Sequence, residues 1–144
     1  NVVGTPLIYK HKKVRPLFED LVIQGIINKE ISILGPKKLH LNFITISDLL
    51  LNLRKIIQEI NVDFPNVINL GGEVLSLESV SVMVQKAFEK LHGYRPKLNF
   101  IHQNKNSINS FEYSSIWNPK ITNNFEEALI NIINFYYKHG NINE

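Results

Sequence analysis

The sequence predicts an α/β fold, because strand-like and helix-like segments alternate along all 144 residues. Four segments carry apolar residues at helical spacing, and short runs rich in β-branched residues lie between them. No internal repeat or long linker divides the chain. We therefore expect a single domain over residues 1–144, with at least part of its sheet parallel.

Two amphipathic helices are predicted in the first half of the chain. Residues 15–30 open at Pro16, and residues 48–60 are expected to be capped by Ser47. Each helix has one apolar face, which we expect to lie in the core. In the first helix this face consists of Leu17, Phe18, Leu21, Val22 and Ile26. In the second it consists of Leu49, Leu53, Ile56, Ile57 and Ile60.

Two further helices are predicted in the second half. Ser76 is expected to cap a helix that ends at Gly93, and Asn123 with Glu126 forms a variant capping box for a helix that ends at His139. The core face of the third helix consists of Leu77, Val80, Val84, Ala87, Phe88 and Leu91. That of the fourth consists of Phe125, Leu129, Ile132, Ile133 and Tyr136.

Five short segments have the composition of strands: residues 2–3, 31–35, 41–46, 66–72 and 97–103. The fourth of these is almost continuously apolar and ends in two glycines. This pattern predicts a strand that is buried on both faces of a parallel sheet. The predicted strands are too few for a complete doubly wound sheet.

The composition is that of a globular domain, with 44% hydrophobic and 20% charged residues. No apolar run approaches the roughly 18 residues that a membrane helix needs, so we expect no membrane span. The chain has no cysteine, which excludes disulfides and a thiolate nucleophile. Because the formal charge is only +3, we expect no nucleic-acid partner. Because the sequence has neither a membrane span nor cysteine, we expect a cytoplasmic location.

The residues alone nominate no catalytic group. Glycine-rich nucleotide loops and the common hydrolase motifs are absent, and Gly71-Gly72 is best explained as a turn. Asp48, Glu126 and Glu127 fall in first helical turns, where a negative charge favours the helix dipole. The five histidines lack metal-ligand spacing, so we expect no metal site. The basic run from Tyr9 to Arg15 suits a solvated surface loop or a phosphate-binding loop, and its pattern favours the former.

The order of the segments resembles the C-terminal half of the extended short-chain dehydrogenases/reductases, the NAD-dependent epimerase/dehydratase family. "NVVGTP" at residues 1–6 is similar to the family's "NVYGP", and "LNFITISD" at residues 41–48 to its "RDFVYVDD". "INLGGEVLSLESV" at residues 68–80 resembles "YNVGGG…SLLEL". "SSIWNP" at residues 114–119 and "NFEEALINIINFYY" at residues 124–137 resemble the closing "LGWxP" and "SLEEGL…WY". The matches cover nearly the whole chain.

This resemblance implies the C-terminal part of a Rossmann-like extended short-chain reductase fold, with its small substrate-binding subdomain. In the family, the glycine-rich NAD(P) loop and the Tyr-x-x-x-Lys catalytic pair lie upstream of the "NVYG" strand. They would therefore belong to an N-terminal dinucleotide-binding half that residues 1–144 do not contain. NAD or NADP would be the cofactor of the parent protein, and this chain alone would bind neither and carry no catalytic residue.

The resemblance also implies substrate-binding residues. Asn1 matches the family asparagine beside the substrate phosphates, and Lys105 lies near the position of a later family arginine. The arginine of the family's "RDF" falls on Leu41, so the basic run that borders the substrate is expected to supply the missing charge. The substrate-binding residues predicted in this way are Asn1, Lys12, Lys13, Arg15 and Lys105.

We therefore expect the substrate-binding portion of an NAD(P)-dependent nucleotide-sugar epimerase, dehydratase or reductase, with no catalysis by this chain alone. The alternatives are a non-catalytic binding or regulatory protein that keeps the same fold, and a generic α/β interaction domain. The expected partners are a nucleotide sugar and either a second copy of the chain or the missing N-terminal half. Without that half, residues 2–3 and 67–71 would expose apolar surface.

Overall fold

The computed structural model describes residues 2–4, 15–59, 67–101, 119–122 and 124–139. Its elements in chain order are β1 (Val2–Val3), α1 (Leu17–Asn28), β2 (Glu30–Leu34), β3 (His40–Thr45), α2 (Ile46–Glu59), β4 (Glu73–Ser76), α3 (Leu77–His92), β5 (Lys97–Ile101) and α4 (Phe125–His139). The predicted α/β class is confirmed.

The strands form two small sheets in this part of the chain. The first has the order β1-β3-β4, in which β1 is parallel and β4 antiparallel to β3. In the second sheet β2 and β5 pair in parallel, from Glu30 opposite Lys97 to Leu34 opposite Ile101. The expected parallel pairing therefore occurs in both sheets, although each sheet is small.

Three of the four helices bury the apolar faces predicted from their spacing. Phe18 of α1 contacts Phe43 of β3 edge-on, with ring centroids 5.2 Å apart, and stacks on Phe125 of α4 at 6.5 Å. All three rings are buried, and burial of such a ring contributes about 2–3 kcal/mol. These contacts join α1, α4 and the first sheet into one hydrophobic core, to which α3 adds its own buried face.

The ends of α3 follow their predicted signals. The Ser76 hydroxyl accepts a hydrogen bond from the Ser79 N–H at 3.0 Å. At the other end Gly93 adopts the left-handed conformation, with φ of 69°, and its N–H donates to the Glu89 carbonyl at 2.9 Å. Glycine suits this position because a side chain would strain a positive φ.

The start of α2 differs from the prediction, although the helix itself is confirmed. Thr45, not Ser47, caps it: the Thr45 hydroxyl accepts a hydrogen bond from the Asp48 N–H at 3.1 Å. The same hydroxyl donates to the Asp48 carboxylate at 2.9 Å. The helix therefore starts two residues earlier than expected, through a reciprocal contact between its cap and its third residue.

The prediction that the apolar stripe of α2 faces the core is wrong. The buried side chains of α2 are polar, Asp48 and Asn52, whereas Leu53 and Ile57 are exposed. The reason is that hydrogen bonds to residues 119–122, rather than apolar contacts, attach this helix to the domain. Ile60 lies outside the described residues.

The predicted strand over residues 66–72 is also wrong. Residues 67–72 have no regular structure, and the chain enters a strand only at Glu73, antiparallel to β3. Just before it, the Asn42 amide accepts from the Gly72 N–H at 2.9 Å and donates to the Gly72 carbonyl at 3.4 Å. A Cβ at Gly72 would lie 1.9 Å from the Phe43 carbonyl oxygen, so glycine is required by this close backbone approach.

Several predictions fall outside the described residues. They concern the Asn123 cap of α4 and the last two residues of the fifth predicted strand. Strand β5 is confirmed over Lys97–Ile101, and α4 buries all five residues of its predicted core face.

The junction of α3 and α4 has a pH-sensitive contact. The His92 ring stacks on Tyr137 with centroids 4.0 Å apart. Burial, and then the positive charge of Lys29, lower the pKa of His92 from its ordinary value of 6.5. Because the pKa is lower in the folded state, its contribution to stability is present above about pH 6.5 and is lost as pH falls toward the folded-state value.

We expect the thermal unfolding midpoint to decrease as the pH is lowered from 7.5 to 5.5. The decrease should be smaller in the variant His92→Phe, which keeps an aromatic ring but cannot be protonated. Circular dichroism melts at several pH values measure this. His40→Gln, which alters an exposed histidine on β3, serves as the control and should keep the wild-type dependence. Equal pH dependence of His92→Phe and the wild type would contradict the assignment.

Candidate functional site

The carboxyl ends of β1 and β3 lie side by side, because these strands are parallel with Val3 opposite Thr45. The chain leaves β1 through Gly4 and leaves β3 directly into α2. Ligands in α/β proteins commonly bind beyond the carboxyl ends of parallel strands. This edge of the sheet is therefore the first place to look for a binding site.

A cavity of about 100 Å³ opens at this edge. Its walls come from the turn after β1, the start of α2 and the first half of α4. The lining residues are Gly4, Thr45, Ile46, Ser47, Asn124, Glu127, Ala128 and Asn131. The cavity is thus built by three segments that are far apart in the sequence.

The polar groups in the cavity wall include one exposed hydroxyl, two amides and one carboxylate, from Ser47, Asn124, Asn131 and Glu127. Asn124 directly precedes α4, and Glu127 and Asn131 follow it at spacings of three and four residues, so all three lie on the same side of this helix. Amides and hydroxyls both donate and accept hydrogen bonds, whereas the carboxylate accepts and repels anions. The described wall contains no basic side chain, so it suits a neutral group with several hydroxyls better than a phosphate.

Gly4 is needed to close this cavity. A Cβ at Gly4 would lie 2.9 Å from Cβ and 3.0 Å from Cγ2 of Ile46. Both atoms belong to a branched side chain whose Cβ cannot move without the helix backbone. The turn after β1 can therefore approach the start of α2 only because residue 4 has no side chain.

A partly buried hydrogen-bond network positions α4 beside the cavity. The Asp48 Oδ1 atom accepts from the Thr122 N–H at 3.0 Å and from the Thr122 hydroxyl at 2.6 Å. One turn later, the Asn52 side chain donates to the Lys120 carbonyl and accepts from the Lys120 N–H, both at 2.8 Å. These contacts fix residues 119–122 on α2, and α4 begins three residues after them. The predicted position of Asp48 in the first turn of α2 is confirmed, whereas its hydrogen bonds to Thr122 are not part of that prediction.

The Glu126 and Glu127 pair, expected in the first turn of α4, is found there. Glu126 forms an ion pair with Lys90 of α3 at 2.5 Å, and this contact lowers the pKa of the Glu126 carboxyl. Glu127 lines the cavity instead. The sequence signal for the cavity was the spacing of Asn124, Glu127 and Asn131, which sequence reasoning did not use.

Of the predicted substrate-binding residues, Arg15 alone lies in the described part of the chain. It is exposed just before α1, outside the cavity wall. Burial and the nearby Glu19 raise the pKa of Tyr136 on α4. The positive charge of Arg15 acts in the opposite direction and lowers that pKa. The other four, Asn1, Lys12, Lys13 and Lys105, lie outside the described residues and stay predictions.

The two positions that replace the family's "RD" have structural contacts. Leu41 is half-buried against the hydrophobic core and lies opposite Leu75 of β4. Asn42 bonds to both backbone groups of Gly72. Neither residue lines the cavity.

The described residues do not fit a dinucleotide. They include no glycine-rich turn between a strand and a helix, and Gly72 is packed against the Phe43 carbonyl. Among the same residues, no group of histidine, aspartate and glutamate side chains could hold a metal ion. No helix in the described ranges is long and apolar enough to cross a membrane.

Comparison with known proteins finds similarity in structure only. No protein-family model matches the chain, and neither does any curated protein. Among solved structures, 98% of the chain matches the UDP-glucose 4-epimerase of Bifidobacterium longum in complex with NAD+ and UDP, at 20% identity and a TM-score of 0.66. This match covers 46% of the epimerase chain.

Two further structures agree. The UDP-N-acetylglucosamine 4-epimerase of Methanobrevibacter ruminantium, in complex with UDP-N-acetylmuramic acid, matches 96% of the chain and 44% of its own, at 15% identity and a TM-score of 0.66. The GDP-mannoheptose C4 reductase of Campylobacter jejuni with NADP bound matches 83% of the chain and 41% of its own, at 22% identity and a TM-score of 0.51.

The chain thus spans less than half the length of each of these structures. Identities of this size establish a shared fold and leave activity and ligands open.

The Asp48 network gives a stability test. Asp48→Ala removes the acceptor of the buried Thr45 hydroxyl and of the partly buried Thr122 donors, so we expect a loss of about 2 kcal/mol of unfolding free energy. Urea unfolding followed by circular dichroism measures it. Glu59→Ala, at the exposed end of the same helix, is the control and should change stability by less than about 0.5 kcal/mol. A small effect of Asp48→Ala would mean that the network does not hold residues 119–122.

The comparisons lead to one structural conclusion: this chain has an α/β fold that matches part of the Rossmann-like fold of NAD-dependent nucleotide-sugar epimerases and reductases.

Proposed function

We propose that this chain is the substrate-binding portion of an NAD(P)-dependent nucleotide-sugar epimerase, dehydratase or reductase, and that it acts in the cytoplasm. The observation that supports this most is the match of 98% of the chain to a UDP-glucose 4-epimerase whose structure contains UDP. The match extends over the whole described architecture but over only 46% of the epimerase. On this proposal the chain recognises the substrate and performs no chemistry alone.

The cavity supports binding of the sugar part of the proposed substrate. Its hydroxyl, amide and carboxylate groups, contributed by Ser47, Asn124, Asn131 and Glu127, match the hydrogen-bonding needs of sugar hydroxyls. Its described wall lacks the positive charge that a diphosphate needs. The diphosphate would therefore be held elsewhere, and the basic run that ends at Arg15 is the proposed source of that charge.

A second function is favoured by one observation. The position expected to hold a phosphate-binding arginine is Leu41, and its side chain packs against the core. Loss of that charge is compatible with a non-catalytic binding or regulatory protein that keeps the fold. The two proposals differ in ligand: the first requires affinity for a nucleotide sugar, and the second does not.

The first test measures binding of UDP to the chain by isothermal titration calorimetry. We expect binding, and we expect the triple variant with Lys12, Lys13 and Arg15 changed to alanine to bind UDP at least about tenfold more weakly, because a diphosphate needs compensating charge. The control changes Lys38, Lys86 and Lys138 to alanine, which removes the same charge from positions away from that run. Equal affinity of the two triple variants, or no UDP binding by the wild type, would contradict the proposal.

The second test separates the sugar from the nucleotide. Asn131→Leu removes an amide from the cavity wall at an exposed position, so the fold should tolerate it. We expect it to weaken binding of UDP-glucose about three- to tenfold, the value of one or two hydrogen bonds, and to leave UDP binding unchanged. Asn134→Leu, an exposed change on the same helix outside the cavity wall, is the control. Equal effects on both ligands would place the sugar elsewhere.

A further inference from the structure

The charged side chain in the cavity wall is that of Glu127, and the other described residues of the wall are uncharged. Within the described part of the chain, Glu127 makes no hydrogen bond and no ion pair. Its neighbour Glu126 differs, because it pairs with Lys90 of α3 at 2.5 Å. The first turn of α4 therefore has a neutralised carboxylate outside the cavity and a second carboxylate, with no described cation beside it, in the cavity wall.

A second negative charge lies directly behind the wall. Thr45 lines the cavity, and its hydroxyl donates a hydrogen bond to the Asp48 carboxylate at 2.9 Å. Asp48 is 1% exposed, and its carboxylate also accepts from the N–H and the hydroxyl of Thr122. All of these donors are uncharged, so they satisfy the hydrogen-bonding needs of the carboxylate without cancelling its charge.

The helix dipoles offset these charges only in part. Helices α2 and α4 both begin beside the cavity, since Ile46 and Asn124 line it. Each N-terminus carries the equivalent of roughly half a positive charge, which by itself would attract an anion. Asp48 and Glu127 each add a full negative charge in these first turns. Both helix starts at the cavity are therefore net negative.

The cavity consequently distinguishes ligands by charge. A carboxylate on a ligand would be repelled by Glu127 in the wall and by Asp48 behind it, and the described wall has no basic side chain to compensate. The Asp48 charge is buried, so water and salt screen it less than they screen a surface charge. A neutral hydroxyl group meets no such repulsion, and it can donate a hydrogen bond to the Glu127 carboxylate.

The fold alone does not decide the charge of the sugar. The matched Bifidobacterium longum protein is a UDP-glucose 4-epimerase, whereas the matched Methanobrevibacter ruminantium structure contains a sugar acid, UDP-N-acetylmuramic acid. Both match this chain with a TM-score of 0.66. Specificity for sugar charge must therefore come from individual side chains in the site.

We propose that Glu127 determines the charge of the sugar that this cavity accepts, so that a neutral hexose binds and a sugar acid is excluded. The buried charge of Asp48 adds to the exclusion. This inference rests on the proposed function and deepens it by naming the class of sugar. Glu127 acts by repelling the wrong ligand, which is a general route to specificity where two ligands share most of their contacts.

The first test compares UDP-glucose with UDP-glucuronate, in which a carboxylate replaces the C6 hydroxymethyl group. Isothermal titration calorimetry of the full chain should show UDP-glucose bound at least about tenfold more tightly. Glu127→Gln keeps the size of the side chain and removes its charge, so it should reduce this ratio of affinities about three- to fivefold. Glu127→Lys should reduce the ratio further, because it replaces repulsion of the carboxylate by attraction.

Glu126→Gln is the matched control, since it removes the same charge from the same turn outside the cavity wall. It should keep the wild-type ratio. Circular dichroism melts of all variants establish that each is folded at the temperature of the titration. Equal ratios in Glu127→Gln and the wild type would overturn the proposal, and so would an equal reduction in Glu126→Gln.

A second measurement does not depend on the nucleotide. Methyl glucoside and methyl glucuronide are titrated at millimolar concentrations into the ¹⁵N-labelled chain, and the side-chain amide signals of Asn124 and Asn131 are followed by NMR. In the wild type we expect these signals to shift with methyl glucoside and not with methyl glucuronide, and in Glu127→Gln we expect shifts with both. An absence of shifts with methyl glucoside, or equal shifts with both sugars in the wild type, would overturn the proposal.

The two measurements separate this inference from the proposed function. Discrimination between the two methyl glycosides by a chain that does not bind UDP would support charge selection and reject the nucleotide-sugar role. Equal binding of UDP-glucose and UDP-glucuronate would support that role and reject charge selection by Glu127.

Discussion

The contact between α2 and residues 119–122 is the constraint on which the rest of the structure depends. It consists of hydrogen bonds that join two buried side chains, Asp48 and Asn52, to Thr122 and Lys120. Because the buried side chains of Asp48 and Asn52 need hydrogen-bond partners, these bonds determine which side of α2 faces the domain. The apolar side must then face outward, and α4 must begin close to the start of α2. Both the exposed apolar side of α2 and the cavity are consequences of this arrangement.

The sequence predicted well the elements whose stability is local. α1, α3 and α4 have apolar residues at helical spacing together with recognisable end signals, and these helices bury the expected faces. The prediction of a strand at residues 66–72 is wrong because a strand depends on a neighbouring strand, which no pattern within the segment reveals. The prediction of which face of α2 is buried is wrong because periodicity identifies an apolar stripe but does not show what covers it. The Thr45 cap could have been found, since a threonine three residues before an aspartate is a recognised helix start.

Less of the candidate site could be predicted from the sequence. Three of its residues, Asn124, Glu127 and Asn131, are related by helical spacing, but the residues that face them come from the turn at Gly4 and the start of α2. Their meeting depends on parallel pairing of β1 with β3 and on the network of Asp48, which are properties of the tertiary structure. The resemblance in segment order pointed to the correct fold, and it directed attention to basic residues before α1 rather than to polar residues on α4.

The cavity and the exposed apolar side of α2 share a residue, Ile46, which lines the cavity and is 38% exposed. The same end of α2 carries Thr45 and Asp48, whose hydrogen bonds join the sheet to residues 119–122. The wall of the cavity on α4 and its wall on α2 are therefore held in register by one set of contacts, so a change in the first turn of α2 acts on both walls together.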